Sequence, residues 1–179
     1  MPASSTLIGP NANTTWTITG QNRGTLSGFA QISFEDIANL ELGTGNDTIV
    51  YNNAAAEIAT SISDAGGDLT FTGDTLNLSN TTEGTGRLVI QPSSAGRAIE
   101  IGGACTTPGV LAISAAEFNG IQNTFTSVEI GNNTSGTLTL TQALLSDNAL
   151  ILRSGEDIVS TAGALSVLNP GNDLSLIAG

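Results

Sequence analysis

Carboxylates are the groups with which this chain could do chemistry. Sixteen acids stand against four bases, all of them arginine (Arg23, Arg87, Arg97 and Arg153), and the sequence has no lysine and no histidine. Without histidine or lysine a nucleophilic triad lacks its general base. Cys105 has no second thiol for a disulfide and no paired spacing for zinc or redox work, so it reads as a small buried apolar residue. Two carboxylate chemistries remain. Asp64, Asp68 and Asp74 are near enough in the chain for two of them to form a glycosidase-type acid and base, with Arg87 and Arg97 the only candidate cations for the groove. Alternatively, Asp47, Asp68 and Asp74, each in a glycine-bearing turn, could offer oxygens to calcium. The plainer reading of Gly45-Asn-Asp47 and Gly66-Gly-Asp68 is that they are turns whose side chains bond the backbone. No enzyme is expected.

Any such turns must be held by strands. From Gly66 onward, apolar residues recur two apart between turn residues: Leu69 and Phe71, Leu76 and Leu78, Leu88 and Ile90, Ile99 and Ile101, Leu111 and Ile113. The series continues with Val128 and Ile130, Leu138 and Leu140, Leu150 and Leu152, Ile158, Leu165 and Val167, then Leu174 and Leu176. Residues two apart share one face of a strand, and each segment is too short for a helix. Onsets lie roughly seven to twelve residues apart, and two or three strands fill a period of about twenty, which is the mark of a solenoid. A β-sandwich would show similar spacing, but it usually carries large aromatic core residues, and this stretch has no Trp or Tyr. The fold class expected is therefore all-β, a right-handed parallel β-helix (solenoid) with one short inserted helix. Ser114-Ala-Ala-Glu-Phe-Asn-Gly120 supplies that helix, with Ser114 as N-cap and Glu117 completing a capping box.

Residues 43–179 form the expected β-helix, about six or seven coils advancing about 4.8 Å each. Residues 1–42 read as a β segment and loop covering the first coil, with a strand at Thr15–Gly20 and a short loop or helical turn setting Phe34, Ile37 and Leu40 on one side. The pattern runs to Leu174-Ser-Leu176 without a polar cap, which suggests a fragment or a protomer that stacks end to end. The acidic balance makes nucleic acid and anionic lipid poor partners. No window approaches the roughly eighteen apolar residues of a membrane span. The start lacks the basic and apolar regions of a signal peptide, so export requires a longer parent chain. Thr70 and Thr72, or Thr137, Thr139 and Thr141, could form hydroxyl rows like those of ice-binding solenoids, but outward Thr is ordinary on a strand. Sequons at Asn13, Asn80 and Asn133 matter only in a eukaryotic secretory host.

Gly136-Thr-Leu-Thr-Leu140, Asn148-Ala-Leu-Ile-Leu152, Gly155-Glu-Asp-Ile-Val159, Gly163-Ala-Leu-Ser-Val167 and Asn172-Asp-Leu-Ser-Leu176 resemble the repeats of filamentous haemagglutinin-like large exoproteins. Phe34 to Thr48 looks like the segment preceding calcium-binding nonapeptides in large bacterial, often cyanobacterial, surface proteins. Gly43-Thr-Gly-Asn-Asp47 is similar to the nonapeptide itself, although Leu42 occupies the place of its first glycine. The resemblance implies an extracellular or cell-surface protein and calcium ligation by Gly43, Gly45, Asn46 and Asp47; Asp68, about one coil further on, could stack on Asp47, with Asp74 in the next Gly-Asp turn nearby. The function expected is a structural or adhesive segment that stacks on itself or meets a host or neighbouring cell surface. The alternatives are a calcium-stabilised export module and a polysaccharide-active enzyme.

Overall fold

The computed structural model describes residues 5–28, 31–78, 81–103, 107–161, 165–169 and 171–179, so the expectations for Cys105 and Asn80 fall outside the described residues. The chain is mostly β, with one short helix. Its first strands are β1 (Ser5–Ile8), β2 (Thr15–Gly20), β3 (Arg23–Ser27), β4 (Ile32–Phe34), β5 (Ile37–Leu42) and β6 (Asp47–Tyr51). Then come β7 (Ser61–Asp64), β8 (Leu69–Thr72), β9 (Thr81–Glu83), β10 (Arg87–Gln91), β11 (Ile99–Ile101) and β12 (Leu111–Ile113). After the helix α1 (Ala115–Gly120) follow β13 (Ser127–Ile130), β14 (Leu138–Leu140), β15 (Leu144–Ser146), β16 (Leu150–Arg153), β17 (Ile158–Ser160), β18 (Leu165–Val167) and β19 (Leu174–Ile177).

The largest sheet has the order β19-β16-β13-β10-β8-β6-β2-β3-β4. From β19 to β2 every pairing is parallel, and β3 and β4 then fold back antiparallel on β2. Two four-stranded parallel sheets, β1-β5-β7-β9 and β12-β11-β14-β17, and the parallel pair β15-β18 complete the set. The chain runs from one sheet to the next and, on returning, lies beside its own previous visit. β5 leads into β6, β7 into β8 and β9 into β10, while β10, β13 and β16 lead on to β11, β14 and β17.

In-register return stacks like on like. In the large sheet Trp16, Ile49, Phe71, Ile90, Ile130 and Leu152 face one another in succession, and all are buried. A second column runs Leu69, Leu88, Val128 and Leu150. Ile99 and Ile101 sit between Leu111 and Ile113 on one side and Leu138 and Leu140 on the other, again buried. Each such side chain removed from water is worth about 1.5–3 kcal/mol, and these columns are the main source of cohesion.

β3 and β4 cover one end of the large sheet. Phe34 lies edge-on to Trp16 with ring centroids 6.0 Å apart. Gly24 makes this possible, since a Cβ there would meet the Thr17 carbonyl oxygen at 2.3 Å and the Phe34 ring at 2.9 Å. The expected loop or helical turn from Phe34 to Leu40 is instead two strands, β4 and β5, joined at Asp36, whose φ of 57° is the left-handed conformation that Asp tolerates. Phe34 and Leu40 are nonetheless both buried.

The expected helix is present as α1, with Ser114 as N-cap and the reciprocal capping box to Glu117. It belongs to an excursion between β10 and β13. β12 pairs with β11 on the side away from β14, so the chain steps back before Ile121 bridges to Thr82 and the forward order resumes. The strand expected at Leu76 and Leu78 does not form. Leu78 is buried, but its N–H donates to the Glu117 carboxylate at 3.0 Å, and β12 fills the free edge of β11.

Because the columns carry the stability, Ile90→Ala is expected to cost about 2–5 kcal/mol, while Leu176→Ala, at a site 56% exposed, changes stability by less than about 1 kcal/mol. Urea unfolding midpoints of the two variants check this. Equal losses would contradict the column account.

Candidate functional site

Three of the acids expected to do chemistry, Asp47, Asp64 and Asp68, lie where the chain crosses from β5 into β6 and from β7 into β8, and Arg87 stands at the next crossing, from β9 into β10. These crossings stack closely. A Cβ on Gly43 would meet the Pro10 carbonyl oxygen at 1.9 Å, and one on Gly67, whose φ is +87°, would meet the Gly45 carbonyl oxygen at 2.3 Å. The glycines are there because backbone lies on backbone.

On the outer side of the corner, side chains replace the missing sheet bonds. The Asn46 N–H donates to Asn13 Oδ1 at 2.9 Å, the Asp68 N–H to Asn46 Oδ1 at 2.9 Å, and the Arg87 N–H to Asp68 Oδ1 at 3.1 Å. Each acceptor serves the residue one visit later, so the three form a ladder parallel to the strand ladders. Arg87 ends it. Its guanidinium reaches back to Asp68 Oδ2 at 3.4 Å and outward to Glu129 Oε2 at 3.3 Å. Glu129 also accepts from Arg153 Nε at 2.6 Å, so Asp68, Arg87, Glu129 and Arg153 alternate in charge along the stack.

On the inner side, Asp47 is 1% exposed and stands in the column that Leu69, Leu88 and Val128 continue. Its Oδ1 accepts from the Thr14 N–H at 2.9 Å and from the Thr14 hydroxyl, whose oxygen in turn accepts from Trp16 Nε1 at 2.7 Å. Its Oδ2 is enclosed and has no hydrogen-bond partner among the described residues. Burial raises its pKa, which the two Thr14 bonds offset in part. Asp64, 3% exposed, follows Leu42 in the neighbouring sheet, and both its oxygens are enclosed. The Gly66 N–H leans toward it without the geometry of a full hydrogen bond. Burial first, and the nearby Asp47 charge second, push the Asp64 pKa up to about 7.

Of the six residues expected to hold calcium, Asn46 and Asp68 are brought together, but their ladder oxygens accept backbone N–H groups and Asp68 also pairs with Arg87. Gly43 and Gly45 pack on residues 10 to 13. Asp47 turns inward, away from Asp68. Asp74 lies beyond the far end of β8, where its Oδ1 accepts the N–H groups of Ser93 and Ser94 at 3.0 and 2.9 Å and its Oδ2 the Ser94 hydroxyl. Those bonds hold its pKa below the usual carboxylate range even against burial. The donor set does not converge on one point, and among the described residues no group of three or more acids or thiols is placed to hold a metal ion. Asn46 and Asp68 accept backbone N–H groups, in keeping with the turn reading of those two segments, and Asp74 does the same at its own turn.

The three acids weighed for catalysis part in the same way. Asp64 is closed to solvent, Asp68 is paired with Arg87, and Asp74 is tied to its serines, while Arg97 donates to the Asp74 carbonyl at 2.8 Å. The inward turn of Asp47 and Asp64 was not foreseen, although the signal was present. Asp47 is two residues from Ile49 and Asp64 two from Ile62, so each shares its neighbour's buried face. Thr14, two residues before Trp16 and buried like it, carried the same signal and was also passed over. No family model matches the chain, and no curated protein or solved structure does either.

A carboxyl with a raised folded pKa stabilises the fold when protonated. Its contribution is present near the unfolded pKa of about 4 and is lost as pH rises through about 7. Asp74, with its lowered pKa, acts only below that window. Asp64→Asn is therefore expected to flatten the decline between pH 5 and pH 8 and to gain on the order of 2–4 kcal/mol over the parent at pH 8. Urea midpoints across that range measure it. A variant as steep as the parent would remove Asp64 as the source.

Proposed function

We propose that this chain is a right-handed parallel β-helix that serves as a structural or adhesive segment of an extracellular bacterial protein. The observation that carries this reading is the unbroken parallel stack from β2 to β19, in which every return of the chain lies in register on the last. Such a stack needs nothing but its own backbone and a narrow apolar core, and it leaves its outer faces free for display. Those faces are acidic and polar, since the net charge is −12. They suit contact with neutral or basic surfaces, and they repel polyanions such as nucleic acid. The enclosure of the Asp47 and Asp64 carboxyls favours scaffold over catalyst, because an acid that must donate a proton to a substrate has to reach it.

Two measurements test the reading together. Negative-stain images or small-angle scattering are expected to give a body whose seven parallel layers extend about 30 Å along the stack. Labelled protein incubated with whole bacterial or host cells is expected to be retained, with retention lost when the cells are first coated with unlabelled protein. Cleavage of a polysaccharide in a substrate screen, lost in Asp64→Asn, would overturn the proposal in favour of an enzyme.

A further inference from the structure

Sheet pairing is interrupted inside the stack, between Ile121 and β15. Ile121 bridges to Thr82 beside β9, and β15 pairs with β18, but among the described residues no ladder joins Ile121 to β15, although the adjoining strands β13 and β16 are paired in register. α1 fills this layer in place of a strand. It leaves a cavity of about 70 Å³ against β15, with Phe118, Ile121 and Leu145 in its apolar wall and Asn119, Asp147 and Asn148 in its polar one. Asn148 holds the unexplained group. The residue is 4% exposed, its Nδ2 donates to the Gln122 carbonyl at 3.2 Å, and its Oδ1 is enclosed with no hydrogen-bond partner among the described residues. Turning the amide over would set oxygen against oxygen at Gln122. The Ser146 hydroxyl fixes the turn, accepting from the Asn148 N–H at 3.2 Å and donating to the Asn148 carbonyl at 2.9 Å. The Leu168 N–H donates to the Ser146 carbonyl at 2.8 Å, so alternation along the strand turns the N–H and C=O of Leu145 away from β18, toward the gap.

We propose that this cavity is a receptor for a primary ammonium group, the tip of a lysine side chain presented by a partner protein. The inference rests on the adhesive reading for its partner and gives that reading a contact chemistry. An enclosed acceptor without a donor is costly, and an ammonium brings three donors and one positive charge. Asp147, exposed at the mouth and in no ion pair among the described residues, supplies the opposite charge. α1 presents its carbonyl end here with no basic residue in its last turn, which adds negative potential. Water would satisfy Asn148 Oδ1, but it would neither balance Asp147 nor cover Leu145, which is 58% exposed. A lysine does both, because its aliphatic stem lies on apolar surface while its head reaches the acceptors. The cation must come from outside. This chain has no lysine, Arg87 and Arg153 are engaged by Asp68 and Glu129, Arg97 by the Asp74 carbonyl, and Arg23 stands on β3 at the other end of the large sheet from β16.

The probe is lysine blocked as its Nα-acetyl methylamide, titrated into the full chain at constant ionic strength and followed by the NMR signals of the Asn148 side-chain amide and the Leu145 N–H. Saturable shifts at both are expected, with the norleucine analogue, which keeps the stem and lacks the ammonium, binding about tenfold more weakly. Asp147→Asn, on an exposed site, is expected to weaken the blocked lysine by a similar factor, whereas Asp173→Asn leaves it unchanged. Asn148→Leu is expected to abolish binding, and the Asp147 variant keeps the test decisive should that one fail to fold. Absence of saturable shifts, equal binding of the norleucine analogue, or equal competition by potassium would overturn the site. Retention on cells whose surface amines have been acetylated is expected to fall, and undiminished retention would overturn lysine as the partner. The two failures are separable, since absence of retention on untreated cells counts against the adhesive reading and absence of shifts counts against the cavity.

Discussion

In a parallel ladder each residue bonds the two residues that flank its partner, so a chain that returns in register sets side chain over side chain and turn over turn. Here that constraint reaches beyond the sheets. It requires leucine and isoleucine to recur at fixed phase, because any residue in the phase of Leu69 and Leu88 is carried into the core. It requires glycine where the corners lie against one another, as Gly67 does against Gly45. It also leaves corner N–H groups without sheet partners, and Asn13, Asn46 and Asp68 supply the acceptors.

The same constraint explains where the polar chemistry is strained. Asp47 and Asp64 hold the inward phase that their neighbours fill with aliphatic side chains, and an ionised carboxylate there gives up its hydration with few bonds in return. Asp47 is relieved by Thr14, which is itself held by Trp16. Asp64 has only the Gly66 N–H leaning toward it, and its pKa is pushed up to about 7. Outward acids behave differently: Glu129 lies between two arginines on successive layers, and Asp74 bonds two serines. Phase in the pleat decides whether a strand acid is enclosed in the core, as Asp47 and Asp64 are, or meets arginines across the layers, as Glu129 does.

Much of the fold was legible because its signal is local and repeated. Leu138 and Leu140, Leu150 and Leu152, and Leu174 and Leu176 each became a parallel strand, and Ser114 with Glu117 became the cap of α1. What could not be read depended on distant chain. The antiparallel return of β3 and β4 turns on Asn22 in a left-handed conformation between β2 and β3 and on the bare face of Gly24, neither of which has a periodic signature. Leu76 and Leu78 have the alternation of a strand and lack its partner. The turn roles of Asn46 and Asp68 followed from residue type, whereas the enclosure of Asp47 and Asp64 followed from phase, which a reading organised around liganding chemistry passed over.

The backward step at β12 bears on how the molecule takes load. A stack wound strictly one layer after another peels from an end, each layer leaving as its own few bonds break. Residues 111–113 clasp β11 from the side away from β14, and Leu78 is tied to Glu117 across 39 residues of chain. The excursion thus ties residues on either side of β10 and β11 to one another, so the middle of the stack is held by bonds that strand-on-strand pairing alone does not supply.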